Sequence, residues 1–285
     1  MSILTAIFQA IGQALTWIFP ISESGHSAIF HNFAGRYTNA CSQLTGVIHI
    51  GIALGIIITF YKLFFKLFKN FFDGWNDLFH KRLDVKNSSS VRKFEYMTIA
   101  SFVPLILYII PAGKYTNLFS LIHSTSYDNN LLIEGICILL TGVLIAVAAK
   151  RMNVKVNPLP QIFQALLLGF AVLFALALPG GSVVGAVLCI GILTGMSYKI
   201  SFRYSMVMSV MLLLVSGVIE LCVAVTPVSI VSAVIAVIIS AACTYLFIKL
   251  FSYIIKKGLL KYVAWYDVAL GGICLVTGLF QIIAK

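Results

Sequence analysis

The strongest limit on how this chain folds is a series of long apolar runs that contain almost no charge. Six runs approach 20 residues, the length that an α-helix needs to cross the hydrocarbon core of a bilayer. Apolar residues make up 60% of the 285 positions, more than a soluble domain of this size could bury. The sequence therefore predicts an all-α integral membrane protein with six full transmembrane helices. The predicted spans are 42–61, 94–112, 131–149, 204–226, 228–248 and 263–283.

The charged residues indicate which side of the membrane each connection faces. The formal net charge is +11. Most of the basic residues lie between apolar runs, in the segments 62–93 and 249–261. Lysine and arginine gathered in short connections mark the cytoplasmic side, where they meet anionic lipid head groups. This placement predicts a multi-pass protein of the plasma membrane and argues against nucleic-acid binding, which the net charge alone would allow.

A short internal repeat divides the chain into two halves. The tetrapeptide at 7–10, Ile-Phe-Gln-Ala, recurs at 162–165. Each copy continues through an apolar run to a turn that begins with proline, at Pro20 and at Pro179. Similar broken segments in the two halves of a membrane chain are typical of transporter-like folds, which place their site at these breaks.

The two broken regions, 3–33 and 160–197, are predicted to be re-entrant hairpins. Lys199 and Arg203 return the second region to the cytoplasmic side from which it started, and the first region must then open to the outside. Irregular backbone at membrane depth is tolerated where it is buried in protein or lines a wet cavity. The alternative, in which both regions cross the membrane twice, requires very short spans.

The predicted architecture is an inverted-topology repeat in one integral membrane domain. Residues 1–150 and 151–285 each contain one hairpin followed by three spans. Because three crossings leave the chain on the opposite face of the membrane, the second half is inverted relative to the first. The two hairpin tips then meet inside the bilayer. Each tip is followed by a helix N-terminus, whose free N–H groups and positive dipole end favour an anion such as phosphate.

The first tip carries the candidate chemistry. Ser22, Glu23, Ser24 and His26 lie within five residues, and ionisable groups at membrane depth are costly enough to indicate function. Glu23 is a candidate ligand for a divalent cation or a candidate base. His26 is a candidate general acid, base or phosphate-facing donor. The competing interpretation is a turn in interfacial water, where polar residues cost little.

Other polar residues in the apolar runs have less definite roles. The amide of Gln13 either binds a ligand or caps packing, and His49 either serves the site or makes a hydrogen bond between helices. Glu220 has no obvious partner in the sequence, so its role stays open. Glu134 and Asp267 lie near the ends of predicted spans, which predicts an interfacial position for both.

The second tip is rich in glycine. Gly180 and Gly181 permit either the close approach of a ligand or tight hairpin packing, and Ser182 adds one hydroxyl. The six cysteines are scattered without a Cys-x-x-Cys motif or a Cys/His cluster, which argues against a zinc site and a disulfide framework.

Three segments resemble the undecaprenyl-diphosphate phosphatase family, also called the bacitracin-resistance family. They are QALTWIFPISESGH at 13–26, VIHIG at 47–51 and PGGSVVG at 179–185, and the resemblance extends over nearly the whole chain. It implies a bacterial enzyme that removes the terminal phosphate of a C55 lipid diphosphate and so recycles the carrier for wall polymers. It further implies an outward-facing site, a divalent cation (Mg²⁺ or Ca²⁺) and a polyprenyl (di)phosphate lipid as partner, with a homodimer as one compatible assembly.

The resemblance and the motif chemistry together assign roles to individual residues. The predicted catalytic residues are His26, Glu23 and Ser22, and Glu23 is also the predicted metal ligand. The predicted substrate-binding residues are Gln13, Ser24, Gly25, His49, Gly180, Gly181 and Ser182.

The chain departs from the family pattern at both tips. Trp17 stands where the family's first motif has its second acidic residue, and Glu23 replaces the serine proposed as a nucleophile. The glutamine usual on the following span appears as His49. Val183 replaces the arginine of the second motif, although a guanidinium is the group best suited to clamp phosphate oxygens. Val184 and Val187 replace the motif's second serine and its threonine.

Three functions follow from this pattern. The first is hydrolysis of undecaprenyl diphosphate by a rewired site. The alternative is a catalytically impaired relative that binds or translocates polyprenyl phosphate across the bilayer. A small-molecule transporter fits the architecture but leaves the family motifs unexplained.

Overall fold

The chain is described here from a computed structural model, over residues 3–34, 42–80, 88–111, 113, 130–152, 161–224 and 226–283. Five basic residues and one of the six cysteines lie outside these ranges: Lys81, Arg82, Lys86, Lys114, Lys155 and Cys41. Within them the helices are α1 (Ile3–Ile18), α2 (Glu23–Ala34), α3 (Gln43–Thr59), α4 (Tyr61–Phe79), α5 (Ser90–Phe102), α6 (Leu132–Arg151), α7 (Ile162–Ala177), α8 (Val183–Leu193), α9 (Tyr198–Val223), α10 (Ile230–Lys256) and α11 (Leu260–Ile283). A 3-10 segment, Val103–Ile109, continues α5.

The architecture is that of an all-α membrane protein. Four of the described helices, α6, α9, α10 and α11, are each long and apolar enough to cross a membrane. A fifth span is added if α3 and α4, which are bent by 95°, are counted together. Residues 94–109 of the predicted span 94–112 lie in α5 and the 3-10 segment, in which Pro104 cannot donate a backbone hydrogen bond. They are not among the described helices that are long and apolar enough to cross a membrane.

One predicted connection is wrong over part of its length. The segment 62–93 was expected to be a basic loop, but residues 61–79 form α4. Its lysines alternate with apolar residues at helical spacing, so charge alone is a poor guide to this segment. One apolar stripe is exposed: Phe65, Phe68, Phe72, Trp75 and Phe79.

Small residues lie at the contacts between helices and let the backbones approach closely. This is expected in a membrane, because lipid tails are as apolar as the side chains and burial gives no hydrophobic driving force for association. The α6–α11 contact is one example. A Cβ added to Gly142 of α6 would lie 2.8 Å from the backbone nitrogen of Val268, and one added to Gly271 of α11 would lie 2.9 Å from the carbonyl oxygen of Gly135. The two backbones therefore touch along the interface.

Each hairpin packs against the opposite half of the chain. The first hairpin, α1 and α2, lays α1 against α10 and also contacts α3. The second hairpin, α7 and α8, lays α7 against α5 and the 3-10 segment, while α8 packs on α9. This exchange brings the two proline-led turns together beside α6.

Candidate functional site

The two turns contact each other through hydrogen bonds and glycine backbone. The Ser22 hydroxyl donates to the carbonyl oxygen of Gly181 at 3.0 Å, and the Gly180 N–H donates to the Ser24 hydroxyl at 3.2 Å. A Cβ added to Gly25 would lie 3.1 Å from the Cα of Gly180, and one added to Gly185 would lie 3.1 Å from the Cβ of Pro20. The glycine of each short helix thus rests on the turn of the other hairpin.

Ser22 and Ser182 are equivalent N-cap residues. The Ser22 hydroxyl accepts from the Gly25 N–H at 3.0 Å, and the Ser182 hydroxyl accepts from the Gly185 N–H at 3.1 Å. Each satisfies one of the orphan N–H groups at the start of its helix. Both serines are buried, and Ser22 has a φ of 67°, a left-handed conformation that is costly outside glycine. These contacts give the two predicted site serines a structural role in holding the tips.

A cavity of about 110 Å³ lies between the two turns. One water needs only about 10–15 Å³ of such space, so the cavity has room for a polar group larger than a water. Its polar lining includes Glu23, Ser24, Thr16 and Ser182. Glu23 is half-buried and makes a side-chain hydrogen bond with Gln13. The predicted carboxylate therefore borders the space between the tips.

Apolar walls stand where the family pattern has charged residues. The side chains of Trp17 and Val183 both line the cavity. The resemblance places an acidic residue at the first of these positions and an arginine at the second. An isopropyl group offers a phosphate nothing but shape. An indole cannot ligate a metal ion, but it carries one N–H donor, and the Trp17 Nε1 is buried with no hydrogen-bond partner among the described residues.

His26 is held by two hydrogen bonds and does not line the cavity, as far as the described residues show. Its Nδ1 lies 2.8 Å from the carbonyl oxygen of Ser22, which can only accept, so Nδ1 carries the proton. In the neutral ring Nε2 is then the acceptor, and the Tyr266 hydroxyl donates to it at 2.7 Å. The two rings also stack, with centroids 5.9 Å apart. Tyr266 lies 240 residues away, and no sequence signal marked it.

His49 makes a contact between two helices, which is one of the two roles left open for it by the sequence. Its Nδ1 lies 2.9 Å from a carboxylate oxygen of Glu220, and the Ser216 hydroxyl lies 3.2 Å from the same nitrogen. The ring is buried and 5.7 Å from that of Trp17. This ion pair joins α3 to α9 behind the cavity and supplies the partner that Glu220 lacked in the sequence.

Glu220→Ala should therefore lower the free energy of unfolding by about 1–3 kcal/mol, because it leaves the buried His49 without its main partner. Thermal unfolding in detergent is the measurement, with Glu220→Gln as the milder variant that keeps a hydrogen-bond acceptor. An unchanged unfolding temperature for the alanine variant would contradict this assignment.

Two other acidic residues, Glu134 and Asp267, are buried between α6 and α11. Each lies towards the start of its helix, in keeping with the predicted position near a span end. The face that each residue presents could not be predicted from that position. Glu134 also touches the second turn, since a Cβ on Gly180 would lie 2.8 Å from its carbonyl oxygen. Neither carboxylate oxygen of Asp267 has a hydrogen-bond partner among the described residues.

The donors available to a metal are few. Across the described part of the chain, no group of three His, Cys, Asp or Glu could hold an ion. One oxygen donor borders the cavity, the Glu23 carboxylate, and Gln13 donates its amide N–H to that carboxylate while its own Oε1 is buried without a described partner. Mg²⁺ is commonly bound by one or two protein oxygens, with substrate phosphates and water completing its shell. The residues fit that mode of binding and do not fit a cage made by protein alone.

The chain is similar to one protein family and to several named proteins over nearly its whole length. The family described as bacitracin resistance protein BacA matches residues 6–273. A protein named undecaprenyl-diphosphatase from Halothermothrix orenii is 27% identical over 99% of this chain and 98% of its own length. Proteins of the same name from Oceanobacillus iheyensis and Acinetobacter baumannii are 26% and 24% identical, over 93% and 98% of this chain and 92% and 96% of their own lengths.

Proposed function

Because the chain belongs to the bacitracin resistance protein BacA family, we propose that it hydrolyses undecaprenyl diphosphate to the monophosphate and so recycles a lipid carrier of cell-wall synthesis. The relatives that match over nearly their whole length carry the name undecaprenyl-diphosphatase. They favour this reaction over the alternative of a relative that binds or translocates polyprenyl phosphate. Family and apolar helices together indicate a multi-pass protein of the bacterial inner membrane.

The observation that carries the proposal is the contact of the two turns around one cavity. The first N–H groups of α2 and α8, at Glu23, Ser24, Val183 and Val184, have no intrahelical partner by helix geometry. All four residues line the cavity. Two helix N-termini therefore present free donors and positive dipole ends to the same space, which favours the oxygens of a diphosphate.

The reaction is the attack of water on the terminal phosphorus. The bond from that phosphorus to the bridging oxygen breaks, and the products are inorganic phosphate and undecaprenyl phosphate. We assign His26 to the proton transfer, with Nε2 taking the proton of the attacking water in place of the hydrogen bond from Tyr266. The separation of His26 from the cavity in the empty protein does not disqualify it, because catalytic hydrogen bonds often tighten only when substrate binds.

A divalent cation, where bound, would be held by Glu23, with the diphosphate and water as its other ligands, and the Gln13 amide N–H would fix the carboxylate in place. The cation would supply positive charge against the phosphate oxygens. Without a cation, the Glu23 carboxylate still borders the diphosphate headgroup. A water molecule that binds both groups would then orient the headgroup. Ser22 and Ser182 hold the tips in contact by their capping bonds.

The finer topology belongs to the same proposal: six spans, two re-entrant hairpins and two inverted halves, 1–150 and 151–285. Its support is the depth at which the turns meet α6. A Cβ on Gly25 would lie 2.9 Å from the side chain of Ile138, and one on Gly180 would lie 3.2 Å from that of Cys137. With the contact of Gly180 to Glu134, the turns meet α6 over its first two turns, roughly 3–9 Å from its start at 1.5 Å per residue. Turns at that depth lie within the bilayer if α6 spans it.

Tyr266 is a positioning residue for His26 under this mechanism. Tyr266→Phe removes one hydrogen bond, which is worth about 0.5–1.5 kcal/mol, so kcat should fall roughly 2- to 10-fold with little change in KM. Tyr262→Phe on the same helix is the control, and an equal effect of both substitutions would contradict the assignment.

Val183→Arg should raise the rate of phosphate release by at least about tenfold. A guanidinium at this wall of the cavity adds a fixed charge, and one such stabiliser is commonly worth 10²–10³ in rate, of which an unsupported side chain recovers part. Val183→Gln has a long polar side chain without the charge and serves as the control. A rate equal to wild type for the arginine variant, with its fold intact by thermal unfolding, would show that the charge is not limiting.

The proposed function is tested by phosphate release from undecaprenyl diphosphate in vesicles that contain the purified protein, with Mg²⁺ and with a chelator. Glu23→Gln should lower the rate by roughly 10²–10³, whereas Asp73→Asn, the same change of charge on α4, should not. Saturable lipid binding without any phosphate release by the wild type would reject hydrolysis and leave the binding or translocating alternative.

A further inference from the structure

A second, larger cavity lies on the other side of α9 from the His49–Glu220 pair. It is a groove of about 890 Å³ between α4, α5 and α9. Its walls are apolar, with Phe64 and Leu67 from α4, Ile99 and Phe102 from α5, and Met211 from α9. This volume lies in the range of ligand pockets, which are typically about 300–1,000 Å³. The groove is separate from the cavity between the two turns, which has different lining residues.

Basic residues stand along one edge of this groove. Lys62 and Lys66 both line it and both are exposed, and Lys69 follows on the same side of α4. One acidic residue, Glu95, lines the groove from α5 and is buried. Its Oε2 has no hydrogen-bond partner among the described residues. The charge at the edge of the groove is therefore positive in balance.

The orientation of α4 indicates that the basic edge of the groove lies at the membrane surface. α4 turns 95° from α3, so if α3 crosses the membrane, α4 lies close to its plane. An ion pair at 2.7 Å between Arg92 and Asp77 fastens the far end of α4 to α5. The lysines are part of the basic connection that marks the cytoplasmic side. The cytoplasmic leaflet is rich in anionic lipids, which attract such residues.

We propose that this groove binds an anionic glycerophospholipid of the cytoplasmic leaflet. An acyl chain lies between α4 and α9 against the apolar walls, and the lipid phosphate lies against Lys62 and Lys66. The apolar walls match a hydrocarbon chain, and the two ammonium groups match the phosphate. The inference does not depend on the proposed hydrolysis, because the groove shares no residue with the site between the turns.

The test is a titration of the purified protein with phosphatidylglycerol in detergent, with bound lipid counted by native mass spectrometry. We expect one lipid retained at low concentration, and a half-saturating concentration about 30-fold higher for the double variant Lys62→Gln/Lys66→Gln, because each lysine near a lipid head group is worth about a factor of five. Ile99→Trp, which fills the groove from an exposed position, should also abolish retention.

The control is Lys256→Gln/Lys257→Gln, an equal change of charge at exposed positions outside the groove. Equal weakening by the two double variants would overturn the proposal, because the lipid would then be responding to overall charge. Equal retention of phosphatidylcholine, or stronger retention of undecaprenyl phosphate, would overturn it as well. Phosphate release by the wild-type protein reports on the proposed function separately.

Discussion

His26→Ala is expected to lower kcat for phosphate release by roughly 10²–10⁴, the range that a positioned acid or base contributes. The imidazole is fixed by the Ser22 carbonyl oxygen at 2.8 Å and by the Tyr266 hydroxyl at 2.7 Å, so its orientation is set before substrate binds. The measurement is single-turnover release of phosphate from undecaprenyl diphosphate, which separates chemistry from product release.

The matched control is His31→Ala, five residues further along α2. It removes an imidazole from the same helix without touching the turn, so its kcat should stay close to that of wild type. Full activity of His26→Ala would remove the imidazole from the mechanism and leave its two hydrogen bonds as structural contacts.

Gly25→Leu is expected to reduce phosphate release by at least about 10²-fold. A Cβ at this position already lies 2.9 Å from the side chain of Ile138 and 3.1 Å from the backbone of Gly180, and the second of these cannot yield without moving the turn. A larger side chain would therefore push the two tips apart and separate the two helix N-termini. A misplacement of about 1 Å costs on the order of 10²-fold in rate.

Gly12→Leu is the control for this substitution. A Cβ on Gly12 meets no atom within 4 Å, so the same change of side chain is made on the same hairpin without a clash. We expect wild-type activity for Gly12→Leu and an unchanged helical circular dichroism spectrum for both variants. Retained activity in a folded Gly25→Leu protein would show that contact between the turns is not required.

Much of the helical layout could be predicted from local pattern. Runs of about 20 apolar residues gave the positions of α6, α9, α10 and α11, and the breaks at Pro20 and Pro179 gave the two short hairpins. Proline and glycine act through the backbone of their own segment, so their effect is visible without knowledge of the fold. The amphipathic helix α4 was not predicted, because its lysines indicate a basic connection. The helical spacing of its exposed aromatic residues was not used.

The contacts that complete the site could not be predicted in this way. Tyr266 meets His26 across 240 residues, and Glu220 meets His49 across two helices. Such pairs depend on the relative rotation of spans, which local patterns in a single sequence do not reveal. The same limit explains Asp267, which sits near the start of α11 yet faces α6 and is fully buried.

The departures from the family pattern have a physical consequence for rate. Val183 and Trp17 make apolar walls, so phosphate charge in the cavity is met by helix N-termini and by any cation at Glu23. Backbone donors at a helix start are fixed by the fold, and no side-chain entropy is lost when they bind. A site of this kind should hold the diphosphate while stabilising its transition state less than one with a guanidinium.

The most direct measurement is ³¹P nuclear magnetic resonance of undecaprenyl diphosphate in vesicles that contain the wild-type protein. We expect the two diphosphate signals to disappear while the signals of inorganic phosphate and a lipid monophosphate grow in a one-to-one ratio, faster than in vesicles with His26→Ala. Diphosphate signals that persist in the wild-type sample as long as in protein-free vesicles would contradict the proposed hydrolysis.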